Sequence, residues 1–247
     1  MNSKKNNYIY SIISIIVVSI INFVILPICL HNKSPFPSII DICNVYSTHE
    51  GANITRDFLV TFIRSLISIT LGILVGVIMG IIMIFSKKIY YIILPWHTIL
   101  KITPAIIWIP ALIFMLGYSS VPTALGVLYS SLFVSTAFYE RFCELSVEEV
   151  TFHDAEKTKR WKKIRYCYLP TSIAGIAVGT KIGGSIALII VVVGEAIVMD
   201  GGLGHAIVSY LASYSHVNLW ATILALSLLS IIYYFAFYIC EKVAGVK

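Results

Sequence analysis

The sequence predicts an all-α membrane protein with six transmembrane helices, and three observations predict it. Of the 247 residues, 58% are hydrophobic and only 12% are charged, whereas a soluble domain carries about 25% charge. The mean hydropathy of +0.90 comes from long apolar runs, each sized to cross a bilayer of about 30 Å. Of the 18 Lys and Arg residues, only Lys33 and Arg56 fall in an expected external loop, which is the positive-inside pattern. A large soluble domain is excluded, because it would need far more charge on its surface. The net charge of +6 does not point to nucleic acid, because the basic residues lie in short pieces between the spans.

Span one is expected over residues 9–30, after Lys4 and Lys5. It runs past signal-peptide length with no small-residue cleavage site, so it reads as a retained span. Residues 31–57 form an external loop in which 39–46 make a short interfacial helix. These two pieces make a first unit, 1–57, and residues 58–247 make the second.

Span two covers 58–85, where Gly72, Gly76 and Gly80 recur every fourth residue. That spacing puts small residues on one face and lets another helix approach closely. Arg64 is expected to snorkel near the outer end. Span three, up to Gly117, is interrupted by Pro95, Pro104 and Pro110. A short cytosolic lead-in reaches about Lys101, and a kinked span follows. Irregular backbone at membrane depth must be covered by protein or face a water-filled cavity. Trp108 and Pro110 are therefore either pathway lining or parts of a bent scaffold. Residues 118–120 turn outside, and span four covers 121–139.

Residues 140–170 are the one long charged interruption between apolar runs. Ser146 is the expected cap of a helix reaching about Glu156, with Glu149 at the third following position. A second short helix is expected over 160–168, and Leu169-Pro170 closes the segment. Span five covers 171–198, with Gly175, Gly179 and Gly183 again every fourth residue. Lys181 and Glu195 lie inside it, too far apart to pair along one helix, so each is expected to meet another helix or water. Glu195 reads equally as an anchor and as a functional group. Gly202 and Gly204 belong to a tight external turn. A short interfacial helix over 206–214 and span six over 218–240 return both termini to the cytosol.

No nucleophile–base arrangement, paired catalytic carboxylates or metal-ligand cluster stands out, so no catalytic residue and no metal ligand is named. The five cysteines match neither a metal spacing nor a disulfide framework. There is no phosphate-binding loop followed by Lys-Ser/Thr. Energy from a nucleotide would therefore come from a partner.

The stretches Lys-Ile-Thr-Pro-Ala-Ile-Ile-Trp-Ile-Pro-Ala-Leu-Ile-Phe-Met-Leu-Gly over 101–117, 161–170 ending in Leu-Pro, Gly179-Thr180-Lys181, Val193-Gly194-Glu195 and Gly202-Leu203-Gly204 share one resemblance. Together they resemble the permease subunits of bacterial ABC importers, specifically the nitrate, sulfonate and taurine group. The resemblance implies the type I importer permease fold, with a cytosolic coupling helix between spans four and five. It implies a second permease copy or a homologous permease, two ATP-binding subunits that carry ATP and Mg, and an extracytoplasmic substrate-binding protein. The chain itself would bind no cofactor and sit in the bacterial cell membrane. The family's Glu-Ala-Ala motif falls on Thr151, Phe152 and His153, and its glycine on Lys157. The coupling surface implied is Glu148, Glu149, Thr151, Phe152, His153, Asp154 and Lys157. The expected substrate is a small solute such as a sulfonate-like anion. An ion-coupled secondary transporter and a non-transporting membrane scaffold remain the alternatives.

Overall fold

The computed structural model describes residues 37–155 and 169–244. Expected span one, Lys157, the helix expected over 160–168 and the position of both termini lie outside the described residues. Eight α-helices cover the described residues, with no strand among them. Four of these helices are long and apolar enough to cross a membrane, and the bent pair, if counted as one span, brings the number to five.

Helix α1, Ile39–Tyr46, has the bounds of the short helix expected there. Ser38 caps it by accepting from the Ile40 amide at 3.3 Å, and Ile42 and Val45 are buried one turn apart. The Tyr46 hydroxyl donates to the Ala221 carbonyl at 2.7 Å and seats α1 on the last helix. Helix α2, His49–Phe85, takes in residues expected to be loop. At about 1.5 Å per residue, its 37 residues are far longer than a hydrocarbon core is thick. No proline interrupts 49–57, and Gly51 lets the new helix pass against the α1 backbone: a Cβ there would lie 2.5 Å from Tyr46 Cα.

Helix α3, Lys87–Ile102, stops where Pro104 forces Thr103 into an extended conformation. A 3₁₀ turn, Ala105–Trp108, leads to α4, Ile109–Leu116, which has proline in its first turn. Together they bend by 103°. Gly117, at φ 76°, ends α4.

Helix α5, Val121–Ala155, is one unbroken helix of 35 residues. This corrects the expectation of a span ending at Tyr139 followed by a new helix capped by Ser146. No glycine or proline lies between Tyr139 and Ala155, and the Glu, Arg and Leu residues there favour propagation. Helix α6, Leu169–Val198, helix α7, Leu203–Ala212, and helix α8, His216–Val243, complete the chain.

Helix α5 is held between the two glycine ladders. A Cβ on Gly72 would lie 2.5 Å from Ser130 Cβ, and one on Gly76 would lie 2.8 Å from the Ser131 carbonyl oxygen. From the other side, a Cβ on Gly183 would lie 2.8 Å from the Ser130 carbonyl oxygen. Helices α2 and α6 thus both press backbone-close onto α5, whose Ser130, Ser131, Val134, Ser135 and Phe138 are buried. Lipid tails are as apolar as Leu, so this close contact of small residues is what holds spans together. A second cluster joins α2, α6 and α8 through Ile69, Leu188, Leu229 and Phe237.

Candidate functional site

Three features near the central helix have the makings of a site: a polar clamp at its Val121 end, a cavity along its flank, and the bend of the broken span. The Val121 end is also the Glu195 end, because a Cβ on Gly194 would lie 2.9 Å from Pro122 Cα.

The clamp begins on α2, where Asp57, Thr61 and Arg64 follow one another at helical spacing on one face. Glu195 of α6 is fully buried. It accepts from the Thr61 hydroxyl at 2.8 Å, from the Arg64 guanidinium at 3.3 Å and from the Gly204 amide at 3.2 Å. Arg64 also donates to the Gly201 carbonyl at 3.1 Å, the Asp200 carbonyl at 3.0 Å and the Asp200 carboxylate at 3.2 Å. The Gly202 amide donates to the Asp57 carboxylate at 3.1 Å, and the Leu203 amide to the Thr61 hydroxyl at 2.8 Å.

Helix α7 has no side-chain cap of its own, since Gly202 occupies that position. Its first amides would be orphaned in a buried setting. Asp57, Thr61 and Glu195, from two other helices, accept from them instead. Glycine at 202 is required twice over. Its φ is 93°, and a Cβ would fall 2.3 Å from Glu195 Cδ. A polar cleft of about 540 Å³ opens beside the clamp, lined by Arg56, Asp57, Asp200, His205 and Tyr210 among others. The Tyr210 hydroxyl donates to Glu50 at 2.7 Å. Burial first, and that carboxylate second, hold its phenol well above the ordinary range.

The cavity, of about 710 Å³, runs between α2, α3 and α5. Arg64, Ser119, Ser120 and Thr123 make one end polar, and residues such as Leu71, Val75, Leu100 and Leu132 make the rest apolar. At the bend, the Tyr129 hydroxyl of α5 donates to the Thr103 carbonyl, which the end of α3 would otherwise leave free. Lys101 donates to Thr136 Oγ1 and lies 5.1 Å from the Phe133 ring centroid. The Thr103 carbonyl at the break is therefore satisfied by α5.

The structure brings together Glu195, Gly202 and Gly204. Trp108 and Pro110 stand apart from them at the bend, where Trp108 packs against Ile109, Val121 and Leu125. Lys181 belongs to neither place: it pairs with Glu241 of α8 at 2.7 Å, partly exposed. Glu148, Glu149, Thr151, Phe152, His153 and Asp154 lie on the last turns of α5, at the end opposite the clamp. Arg64 does not snorkel outward but turns in to Glu195, because the buried carboxylate needs a countercharge. Sequence reasoning missed Asp57, Thr61 and Asp200 as clamp residues. The helical spacing of 57, 61 and 64 within an otherwise apolar run was the available signal.

Residues 72–243 match the family of binding-protein-dependent transport system inner membrane components. Two solved structures share the fold, both inward-facing conformations of the MetNI methionine ABC transporter. Its CY5 native crystal form is 18% identical with a TM-score of 0.62, over 78% of this chain and 95% of that one. Its CY5 SeMet soak crystal form is 18% identical with a TM-score of 0.61, over 78% of this chain and 94% of that one. No curated protein matches the chain.

Proposed function

The chain belongs to the family of binding-protein-dependent transport system inner membrane components, the permease subunits of ABC-type importers, and on that premise we propose how it works. The 710 Å³ cavity beside the broken span is the observation that carries the proposal. The cavity and the bend form this subunit's half of the solute pathway. A second permease copy or a homologous permease supplies the other half. The Glu195 clamp faces outward and holds α2, α6 and α7 as one rigid rim, against which an extracytoplasmic binding protein delivers solute. The Ala155 end of α5 faces the cytosol. There Glu148, Glu149, Thr151, Phe152, His153, Asp154 and Lys157 dock into one of two ATP-binding subunits that carry ATP and Mg.

An unbroken α5 supports this coupling. A helix that runs from the coupling residues to the clamp end, between two glycine ladders, transmits motion as a rod. ATP binding draws the two coupling ends together and opens the pathway outward, and hydrolysis resets it. Such coupling requires two states that both partners bias. With residues 9–30 counted, the subunit has six spans and both termini inside. The substrate is a small organic or inorganic solute, such as a sulfonate-like anion.

Affinity purification of the tagged permease tests this. The ATP-binding subunit is expected to copurify, and Glu148→Lys with Glu149→Lys is expected to reduce its yield and the coupled ATPase activity. Unchanged yield and coupling in that variant would remove the docking assignment. Permease that purifies without any ATP-binding subunit would favour the scaffold reading.

A further inference from the structure

Helix α3 is shorter than a span, and both of its ends touch α5 at nearly one height. Its 16 residues make about 24 Å of helix, against a hydrocarbon core of about 30 Å. Near its start, Tyr90 stacks on Tyr139 with ring centroids 4.3 Å apart. Near its end, Lys101 donates to Thr136. From residue 90 to 101 the helix rises about 16 Å, while its contacts on α5 move only from 139 to 136, about 4.5 Å. Helix α3 therefore crosses α5 rather than running along it, and the 103° bend turns the chain into α4 only after Ile102. Gly80 packs α2 against Phe138 shortly before α3 begins, so α3 lies at the foot of α2.

The side chains of α3 sort onto three faces. Tyr90, His97 and Lys101 share the face turned to the protein. Ile89, Ile92, Trp96 and Ile99 form one stripe at i, i+3, i+7 and i+10. All four are exposed, Ile92 and Trp96 by 66% each. Lys87, Tyr91 and Thr98 share the third face and are exposed too, with Lys88 on the border between it and the stripe. No acidic residue occurs in α3, so its own helix leaves both lysines unneutralised. An apolar stripe with a Trp, edged by Lys and Tyr, marks a helix that lies in the membrane–water interface. The level fits, because Tyr139 closes the apolar run of α5 just before Glu140 and Arg141. The Lys181–Glu241 pair stands near that level across the bundle, since Gly179, two residues from Lys181, packs on Val134.

We propose that α3 lies in the cytosolic face of the bilayer and binds anionic phospholipid. The stripe sits among the first acyl methylenes, and Lys87 and Lys88 hold phosphate headgroups. The proposal rests on the permease reading, which puts the Ala155 end of α5 in the cytosol. Lipid is the partner because the lysines and the stripe belong to one short helix and are satisfied together. A phospholipid brings phosphate and hydrocarbon side by side, and juxtamembrane lysines are drawn to anionic leaflets. A second apolar helix would cover the stripe and leave the ammonium groups without a counter-charge. Leu100 of α3 lines the 710 Å³ cavity, so a lipid that holds α3 also holds one wall of the pathway.

The test uses the full chain, with its ATP-binding partner, in nanodiscs of phosphatidylcholine and phosphatidylglycerol. The five native cysteines are replaced by serine, and spin labels are attached one at a time through Lys87→Cys, Tyr91→Cys, Ile92→Cys, Trp96→Cys and Ile99→Cys. Electron paramagnetic resonance compares collisions with oxygen, which gathers in hydrocarbon, and with a water-soluble nickel chelate. Labels at 92, 96 and 99 are expected to favour oxygen and those at 87 and 91 nickel, so that depth alternates with the helical period. A depth that changes steadily from 87 to 99 would overturn the in-plane seat. So would labels at 92 and 99 that couple to a second permease copy instead of meeting oxygen. Lys87→Gln with Lys88→Gln is expected to lower the preference for spin-labelled phosphatidylglycerol over phosphatidylcholine by about fivefold or more, while Lys87→Arg with Lys88→Arg keeps it. An unchanged preference, or loss of the ATP-binding subunit from the Gln variant, would overturn the lipid assignment. A complex that copurifies and hydrolyses ATP while the depth profile fails overturns the seat of α3 alone.

Discussion

The clamp at Glu195 and the corner at Lys101 are both polar places inside an apolar bundle, and they are finished differently. In the clamp, Glu195, Arg64, Thr61 and the amides opening α7 all have partners. At the corner, Lys101 leans on a hydroxyl and a ring, and His97 has no partner. A fully satisfied buried network rigidifies what it joins. A partly satisfied one leaves a buried polar group without a partner in the same low dielectric, which costs stability.

The contrast is broken most severely at Glu195. Glu195→Ala breaks the buried half of the Arg64 ion pairing, leaving Asp200 as its carboxylate partner, and takes the acceptor from the Thr61 hydroxyl and the Gly204 amide. A loss of about 3–5 kcal/mol is expected, read by denaturant unfolding of the purified chain. A loss no larger than that from cutting Lys101 would erase the distinction. Gly202→Ala comes next, at about 1–3 kcal/mol, because φ 93° strains any side chain and the new methyl runs into Glu195. Its far-UV circular dichroism should stay helical while the unfolding midpoint falls. Lys101→Met removes one hydrogen bond and a cation–ring contact, and about 1 kcal/mol is expected. Denaturant unfolding of that variant measures it. The smallest effect is expected at the Lys181–Glu241 pair. The Lys181 side chain is 44% exposed, and solvent screening leaves such a pair about 0–1 kcal/mol. A double-mutant cycle with Lys181→Leu and Glu241→Gln measures it directly.

The helices that local signals delimit were legible in the sequence. Residues 39–46 carry a serine cap and a short apolar face, and they form the expected helix. The bend was legible because Pro104 dictates what Thr103 can do. The two glycine ladders announced close packing. The length of α5 was not legible. Ser146 and Glu149 make a plausible helix start, but a start is realised only where the preceding helix breaks, and nothing before Ser146 breaks it. The clamp was half legible. Glu195, Gly202 and Gly204 are near in sequence, whereas Arg64 is 131 residues from Glu195, and only the fold brings it there. Lys181 carried the signal of an intramembrane charge, but its partner is 60 residues away on α8.

The central claim is that this subunit's pathway is worked by ATP on a partner, and proteoliposome uptake tests it most directly. The purified complex, reconstituted with its binding protein, is loaded with ATP on the coupling side. The account predicts solute accumulation that requires ATP, stops when the partner cannot hydrolyse it, and continues after ionophores dissipate ion gradients. Accumulation that proceeds without ATP and collapses with the ion gradient would contradict it.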